Sequence, residues 1–356
     1  MPIFDQGYQH WNGQLSSHAW RWLAITRHGV RVSMKNRFLR LILLLSWLPA
    51  SGLAAALCIW GLLEQKSTLI APILPMLNFI NPRILNEAQS YRVEIWTLCY
   101  HYFLLTQLFF SMVILVLVGP NLISRDLRYN AWPMYFSRPL RRIDYFVGKL
   151  GVIVAILSMV TIIPSIIAYI LGLLFSLDFS IVGDTFRLLL ASVVYGLIVA
   201  VSAGLFILAL SSMSRNSRYI ALLWLGIWLV GSSVAGLLNT IHFEQQQRQA
   251  WREHGHFESR SEAEKFERET EEAKSNWRWL VSYTANLSRI EQQLLGTDAA
   301  WTKLTGVLPE YAQAQLLRFY QGPQYPWQWS AGVLCGILGL SVCILHRSIK
   351  SLDKLK

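Results

Sequence analysis

Long runs of apolar residues, separated by polar and basic segments, dominate the pattern along this chain. Each run has about 20 residues, and a helix of that length rises about 30 Å, which matches the hydrocarbon core of a bilayer. The pattern therefore predicts an all-α protein with six transmembrane helices: Leu41–Leu63, Leu98–Val118, Leu150–Phe175, Leu188–Leu210, Tyr219–Leu238 and Trp327–Leu345.

Prolines and glycines predict where these helices bend or end. Pro49 lies within the first run, where we expect a bend, and Pro164 lies near the middle of the third. A proline is tolerated in a span because neighbouring helices can satisfy the carbonyl group that it leaves free. Gly119-Pro120-Asn121 follows the second run, and we expect it to close that span.

The segments outside the apolar runs divide the chain into regions. The stretch Ser16–Phe38 alternates apolar and basic residues, which predicts an amphipathic helix lying in the membrane interface. The predicted regions are 1–40 with this interfacial helix, 41–238 with spans one to five and a basic loop at 121–149, 239–326 as an insert, and 327–356 with the sixth span and a basic tail.

The insert 239–326 is polar, with ten Lys or Arg and twelve Asp or Glu residues. We expect it to be extracytoplasmic and helical, with a solvated helix over 243–275. Its later part, Trp277–Leu295, has apolar residues at spacings of three and four, which predicts a helix with one face on an apolar surface. A lipid surface or the top of the helix bundle would provide that surface.

The composition agrees with a polytopic membrane protein. Hydrophobic residues make up 53% of the chain and charged residues only 15%, whereas soluble domains have about 25% charged residues. The net charge of +11 comes from basic residues that flank the apolar runs, so it indicates orientation and lipid contact rather than nucleic-acid binding. The four cysteines lie in or beside apolar runs, without the close spacing of a metal or redox site.

The distribution of Lys and Arg predicts the orientation of the spans. The segments before the first span, after the second and after the fourth are basic, as is the C-terminal tail, whereas the alternate segments mix acidic and basic residues. Basic short loops remain on the cytoplasmic side of a membrane. Both termini are therefore predicted to be cytoplasmic.

No motif for catalysis is apparent in the sequence. A phosphate-binding loop needs G-x-x-x-x-G-K-[ST], and the nearest match, Gly148-Lys149-Leu150, lacks the upstream glycine and the hydroxyl. The histidines of the insert lack the framework of a metal site. We therefore expect neither an enzyme nor a metal-binding protein.

A few polar and small residues interrupt the apolar spans. His101 and Gln107 lie on the second span, where they belong either to a substrate path or to polar contacts between helices. Small residues four apart, at Gly196, Ala200 and Gly204 and at Gly332 and Gly336, mark faces where helices approach closely. Those contacts could lie within one bundle or between two copies.

The loop 121–149 combines basic residues with aromatic and apolar ones, including Trp132 and Tyr135. Positive charge alone would satisfy the orientation rule, so the aromatic residues favour a docking surface for another protein.

This loop resembles the permease subunits of ABC exporters of the ABC-2 class. The matching stretches are Ile123-Ser-Arg-Asp-Leu-Arg and Tyr135-Phe-Ser-Arg-Pro-Leu-Arg-Arg-Ile-Asp-Tyr-Phe-Val-Gly-Lys149. They are similar to the family's acidic residue, short amphipathic helix, S-R-P-[LIV]-x-R turn and G-K before the third span. Family members often carry Glu and then Gly-Thr ahead of the helix, where Asp126 and Arg128-Tyr129-Asn130 stand here.

The resemblance implies a permease dimer that exports its substrate across a bacterial inner membrane. A cytoplasmic coupling helix between spans two and three would dock on a separate ATPase subunit, which would bind the ATP and Mg²⁺. By resemblance, the docking region includes Asp126, Arg128, Trp132, Pro133, Arg138, Pro139 and Arg141.

The sequence leaves the substrate and a second kind of function open. Spans with few charges favour an amphipathic or hydrophobic substrate. The alternative is a membrane anchor or assembly scaffold that transports nothing, and whose insert 239–326 binds an external or periplasmic protein.

Overall fold

The computed structural model describes residues 20–70, 72, 87–131, 134–135, 141–176, 180–254, 277–306 and 325–353, and every regular element in them is helical. We number the helices α1 (Arg21–Ser33), α2 (Arg37–Glu64), α3 (Arg92–Arg128), α4 (Arg142–Val160), α5 (Ile162–Ser176), α6 (Ser180–Met213), α7 (Ser217–Leu225), α8 (Gly231–His254), α9 (Tyr283–Leu295), α10 (Thr297–Thr305) and α11 (Trp327–Asp353).

Six helical stretches are long and apolar enough to cross a membrane, and each contains one predicted apolar run. This confirms the prediction of an all-α polytopic membrane protein. The stretches are Arg37–Glu64, Ala88–Arg128, Arg142–Ser176, Ser180–Met213, Ser217–His242 and Trp327–Ser348.

The second span does not end where the sequence predicted. Helix α3 continues through Gly119 and Pro120 to Arg128, so the prediction that these residues close the span is wrong. The Ser211 hydroxyl of α6 donates to the Pro120 carbonyl at 3.0 Å, which supports the backbone at this point. A Cβ on Gly119 would lie only 2.3 Å from Ile207, so the glycine is needed for close packing of α3 on α6.

The third span is broken by its proline, whereas the first is not. Helix α4 ends at Val160 and α5 begins at Ile162, because Pro164 has no N–H to bond with the Val160 carbonyl. Pro49 instead lies inside α2, which remains one helix from Arg37 to Glu64. The position of a proline in the sequence therefore did not decide which span is interrupted.

Helices α3 and α6 form the centre of the bundle. Buried Trp96, Tyr100 and Leu104 of α3 and buried Ala203 and Ile207 of α6 belong to one core cluster. These faces of α3 and α6 are enclosed by the other spans, whereas Phe109 of α3 and Leu190 of α6 are exposed on their outer faces.

The two glycine faces noted in the sequence differ in their surroundings. A Cβ on Gly196 would lie 2.8 Å from Ile162, and one on Gly204 would lie 2.7 Å from Leu150. Around Gly332 and Gly336 there is open space within 4 Å of such an atom. The face on α6 therefore packs within the bundle, whereas the face on α11 contacts no other part of the described chain.

The later part of the insert packs into the bundle. Tyr283 and Leu287 of α9 are buried in the core cluster, and the Tyr283 hydroxyl lies 3.1 Å from that of Ser202, about three turns from the end of α6 at Met213. The apolar face of the predicted helix therefore packs on the helix bundle, which was one of the two surfaces expected from the sequence, and not on lipid. The predicted solvated helix is described only to His254, the end of α8; the rest of it lies outside the described residues.

The two ends of the bundle carry different charges. The end formed by α1, the end of α3 and the start of α7 is called the basic end; its exposed arginines include Arg37, Arg40, Arg125, Arg128, Arg215 and Arg218. At the opposite end, Arg92 forms ion pairs with Glu64 at 2.7 Å and with Asp184 at 3.2 Å. These pairs connect the first, second and fourth spans.

Candidate coupling site and polar contacts of the bundle

Asp126, which the resemblance placed in the docking region, lies near the end of α3 and faces α4. Its Oδ2 atom lies 2.7 Å from Nζ of Lys149 and accepts a hydrogen bond of 2.6 Å from the Tyr145 hydroxyl. Lys149 and Tyr145 are both buried. The carboxylate therefore connects the second span to the third across the loop that separates them.

Aromatic rings surround this ion pair. The Lys149 ammonium lies 5.3 Å from the ring centroid of Tyr145 and 6.0 Å from that of Tyr135, and the two rings are 5.3 Å apart. Burial raises the pKa of the Tyr135 phenol, and the negative charge of Asp126 raises it further. The loop side chain Tyr135 is thus part of the same cluster, which we call the Asp126 cluster (Asp126, Tyr135, Tyr145 and Lys149).

The two arginines of the predicted docking region that the structure describes are exposed. Arg128 donates from Nε to the Arg215 carbonyl at 3.3 Å, which connects the end of α3 to the segment after α6. Arg141 precedes α4, and its backbone N–H donates to Asp144 at 3.2 Å. Trp132, Pro133, Arg138 and Pro139 lie outside the described residues.

Helix α1 packs directly on the first turns of α4. The Thr26 hydroxyl donates to the Gly148 carbonyl at 3.0 Å. A Cβ on Gly148 would lie 2.7 Å from Ile25, so only glycine allows this approach without displacement of α1. The N-terminal helix and the Asp126 cluster are therefore parts of one packed unit, since Gly148 immediately precedes Lys149.

Apolar side chains in and beside the loop are exposed at the basic end. Tyr129, Met134 and Ile143 are 70%, 76% and 70% exposed. They lie among exposed arginines and next to the Asp126 cluster. Exposed apolar residues with a polar rim are typical of a protein-binding surface.

His101 contacts the insert. Its Nδ1 atom lies 2.9 Å from a carboxylate oxygen of Glu291 on α9, and both side chains are largely buried. On the same helix, Arg289 pairs with Asp298 at 3.0 Å and donates to the Tyr325 carbonyl at 3.1 Å. These contacts join α3, α9, α10 and the start of the sixth span.

Gln107 contacts the first span. Its Nε2 atom donates to the Ser46 carbonyl at 2.7 Å. Ser46 lies about one turn before Pro49, and because a proline has no N–H, a carbonyl next to Ser46 lacks its helical hydrogen bond. Its Oε1 atom is buried and has no hydrogen-bond partner among the described residues, and the same is true of the Ser111 hydroxyl one turn later. The structure thus places His101 and Gln107 on different partners rather than in one shared site.

Sequence reasoning missed three residues of these sites. Lys149 entered the sequence analysis through the incomplete phosphate motif and the family's G-K, and Tyr145 as part of the loop, in neither case with a partner. The acidic and basic residues at 126 and 149 were the available signal. Glu291 had no such signal, because its partner His101 is 190 positions away.

The structure is that of a multi-pass membrane protein. It has six spans, the amphipathic helix α9 packed against them and a charged cluster at the basic end. The family model described as ABC-2 family transporter protein matches residues 23–297, from α1 to the start of α10. The chain therefore belongs to this family and is a permease of an ABC transporter, whose ATPase is a separate subunit. No curated protein matches the chain.

Proposed function

We propose that this permease exports its substrate and that two permease chains, identical or paralogous, form the translocation path. In this proposal both termini lie in the cytoplasm at a bacterial inner membrane, and the ATPase binds ATP and Mg²⁺. Support comes from the basic segments, which lie together at one end of the bundle, and from the family match.

The ATPase docks, in this proposal, on the loop between the second and third spans. The main observation that supports this docking site is the exposure of Tyr129, Met134 and Ile143 beside the Asp126 cluster. Because Asp126 and Lys149 connect α3 to α4, force applied to the loop reaches both spans together. Trp132 enters the docking surface through the aromatic composition of the loop and through the resemblance, and Arg138 and Arg141 through the resemblance.

A substitution in this loop tests the docking surface. We expect Trp132→Ala combined with Arg138→Ala to weaken ATPase binding by about 30-fold or more for each residue removed, since interface aromatics and arginines contribute about 2 kcal/mol or more each. Transport-dependent ATP turnover should be lost, while membrane insertion and thermal stability change little. Pro139→Ala should have a milder effect, because it alters a turn without removal of a contact group.

Leu69→Ala is the matched control, because Leu69 is 71% exposed beyond the end of the first span at Glu64, opposite the basic end. The measurement is the amount of ATPase that co-purifies with the tagged permease, followed by ATP turnover in liposomes. Full ATPase association and activity in the double variant would refute the docking assignment.

The proposed topology has its own test. In a cysteine-free variant, a membrane-impermeant maleimide added to intact cells should modify a cysteine at position 248 and not one at position 129. Arg248 and Tyr129 are both exposed side chains beyond the apolar parts of their spans, so access alone does not distinguish them. The reverse labelling pattern would overturn the orientation.

The substrate proposed is amphipathic or hydrophobic, because the described spans present aromatic and aliphatic surfaces with few charges. An external or periplasmic protein that binds the insert 239–326 is part of the same proposal. Stimulation of ATP turnover by amphipathic compounds, and not by small polar ones, would support this substrate class.

A further inference from the structure

A polar cleft of about 530 Å³ opens at the basic end, between the end of α3 and the start of α7. Within the described parts of the chain, no acidic residue lines it. The lining residues are Asn121, Arg125, Arg128, Tyr129, Asn216, Ser217 and Arg218.

Three arginines converge on this cleft without a counter-charge among the described residues. Asn121, Arg125 and Arg128 follow one face of α3 at spacings of four and three, and Arg218 faces them from the first turn of α7. Arg128 uses Nε for the Arg215 carbonyl, and no acid of the described chain pairs with any of the three guanidinium groups. Asp126, the nearest acid in sequence, is engaged by Lys149 and Tyr145.

The orientation of the spans does not require this arrangement. Orientation depends on the number of basic residues in a loop, and arginines spread apart would serve equally well. Arginines brought together around a concavity repel one another unless an anion lies between them. The guanidinium group is also the side chain best shaped for a phosphate, because it offers parallel N–H donors.

The cleft continues into an apolar surface on the membrane side. Leu222 is one turn further along α7 than Arg218, on the same face, and is 68% exposed. Tyr219 beside it is also exposed. A ligand with an anionic group in the cleft would therefore have its apolar part along α7, towards the interior of the bilayer.

We propose that this cleft binds the headgroup of an anionic phospholipid. Arg125 and Arg218 hold the phosphate, Arg128 and Asn216 lie beside the rest of the headgroup, and the acyl chains lie along Leu222. The bound lipid bridges the end of the second span and the start of the fifth. The cleft shares Arg128 and Tyr129 with the proposed docking surface, so the test below changes only Arg125 and Arg218, to which the docking proposal assigns no role.

The test uses the full-length protein in a neutral detergent, titrated with dioctanoyl phosphatidylglycerol. Binding is measured from the rise in melting temperature, which a ligand of the folded state produces. We expect Arg125→Gln combined with Arg218→Gln to reduce the affinity roughly 30-fold, at about fivefold for each arginine near an anionic group. Dioctanoyl phosphatidylcholine should bind weakly to every variant.

The matched control is Arg37→Gln combined with Arg40→Gln, which removes the same charge from exposed arginines at the same end of the bundle. This control variant should bind phosphatidylglycerol with the affinity of the unmodified protein. Without lipid, both double variants should have the melting temperature of the unmodified protein. An equal loss in both double variants would overturn the proposal, since net charge would explain it.

Two further results would also overturn it. If inorganic phosphate binds as tightly as phosphatidylglycerol, the cleft is a site for a free anion. If the Arg125 and Arg218 variant keeps lipid affinity and loses ATPase co-purification, the cleft is a protein-docking surface.

Discussion

Two of the ion pairs that join helices of this permease, one at the basic end and one against the insert, differ in their cations. Asp126 pairs with Lys149, whose ammonium group keeps its charge in water, whereas Glu291 pairs with His101, whose imidazole can be neutral near physiological pH. Loss of Asp126 would leave the charged Lys149 ammonium unpaired, whereas loss of Glu291 would leave an imidazole that can become neutral. The contact at the basic end is therefore costlier to break.

The pairs also differ in the chain that separates their members. Asp126 and Lys149 flank one loop, so the second and third spans meet there through residues close in sequence. His101 and Glu291 are 190 positions apart, and their contact exists only when the insert has returned into the bundle. We infer that α9 separates from α3 more readily than α4 does.

The largest expected effect comes from Asp126→Ala. Loss of one member of a buried ion pair costs about 3 kcal/mol, and here it leaves the Lys149 ammonium among aromatic rings. The free energy of unfolding, measured by reversible denaturation in mixed micelles, should fall by that amount. Lys149→Met added to this variant should recover most of the loss; no recovery would mean that Asp126 acts through something other than this pair.

A smaller loss is expected for Gly148→Ala at the same end. The new Cβ would lie 2.7 Å from Ile25 and 3.0 Å from the Trp22 carbonyl, so α1 must shift, at a cost of about 2 kcal/mol. Increased proteolysis of α1 would report the shift. The control is Gly52→Ala, where nothing lies within 4 Å and stability should stay level or rise. Equal losses in the two variants would contradict the packing of α1 on α4.

Glu291→Gln should cost only about 1 kcal/mol, because a neutral imidazole can still form a hydrogen bond with the amide. Thermal unfolding compared with Gln293→Ala, an exposed position on the same helix, measures the difference. A loss as large as that of Asp126→Ala would show that the two ion pairs do not differ as described.

The smallest effect is expected from Lys303→Gln on α10. Its ammonium lies 2.6 Å from the largely buried Glu94, but the Lys303 side chain is half exposed, so water can replace the ammonium there and the loss should be about 0.5 kcal/mol. The melting temperature should be almost unchanged at moderate salt. A large, salt-sensitive decrease would indicate that α10 contributes more to the attachment of the insert than α9 does.

The sequence by itself determined the six spans, because apolar runs of bilayer length have few other stable environments. It also predicted an amphipathic helix over Trp277–Leu295, because apolar spacing follows from helical geometry alone. The α-helix occupies Tyr283–Leu295 of that range, after a 3-10 turn at Trp277–Val281. The residues of the loop 121–149 carried the family resemblance, which the match over residues 23–297 confirms.

Only the tertiary structure decided what these elements contact. Gly119 and Pro120 predicted a helix end in the sequence. In the structure α3 continues through them, because the Ser211 hydroxyl of α6 bonds to the Pro120 carbonyl and Ile207 packs closely against Gly119. The amphipathic face of α9 could have met lipid or protein, and its place against α3 and α6 depends on residues far away in the chain. Periodicity fixes which face of a helix is apolar, whereas the partner of that face depends on how all the helices pack together.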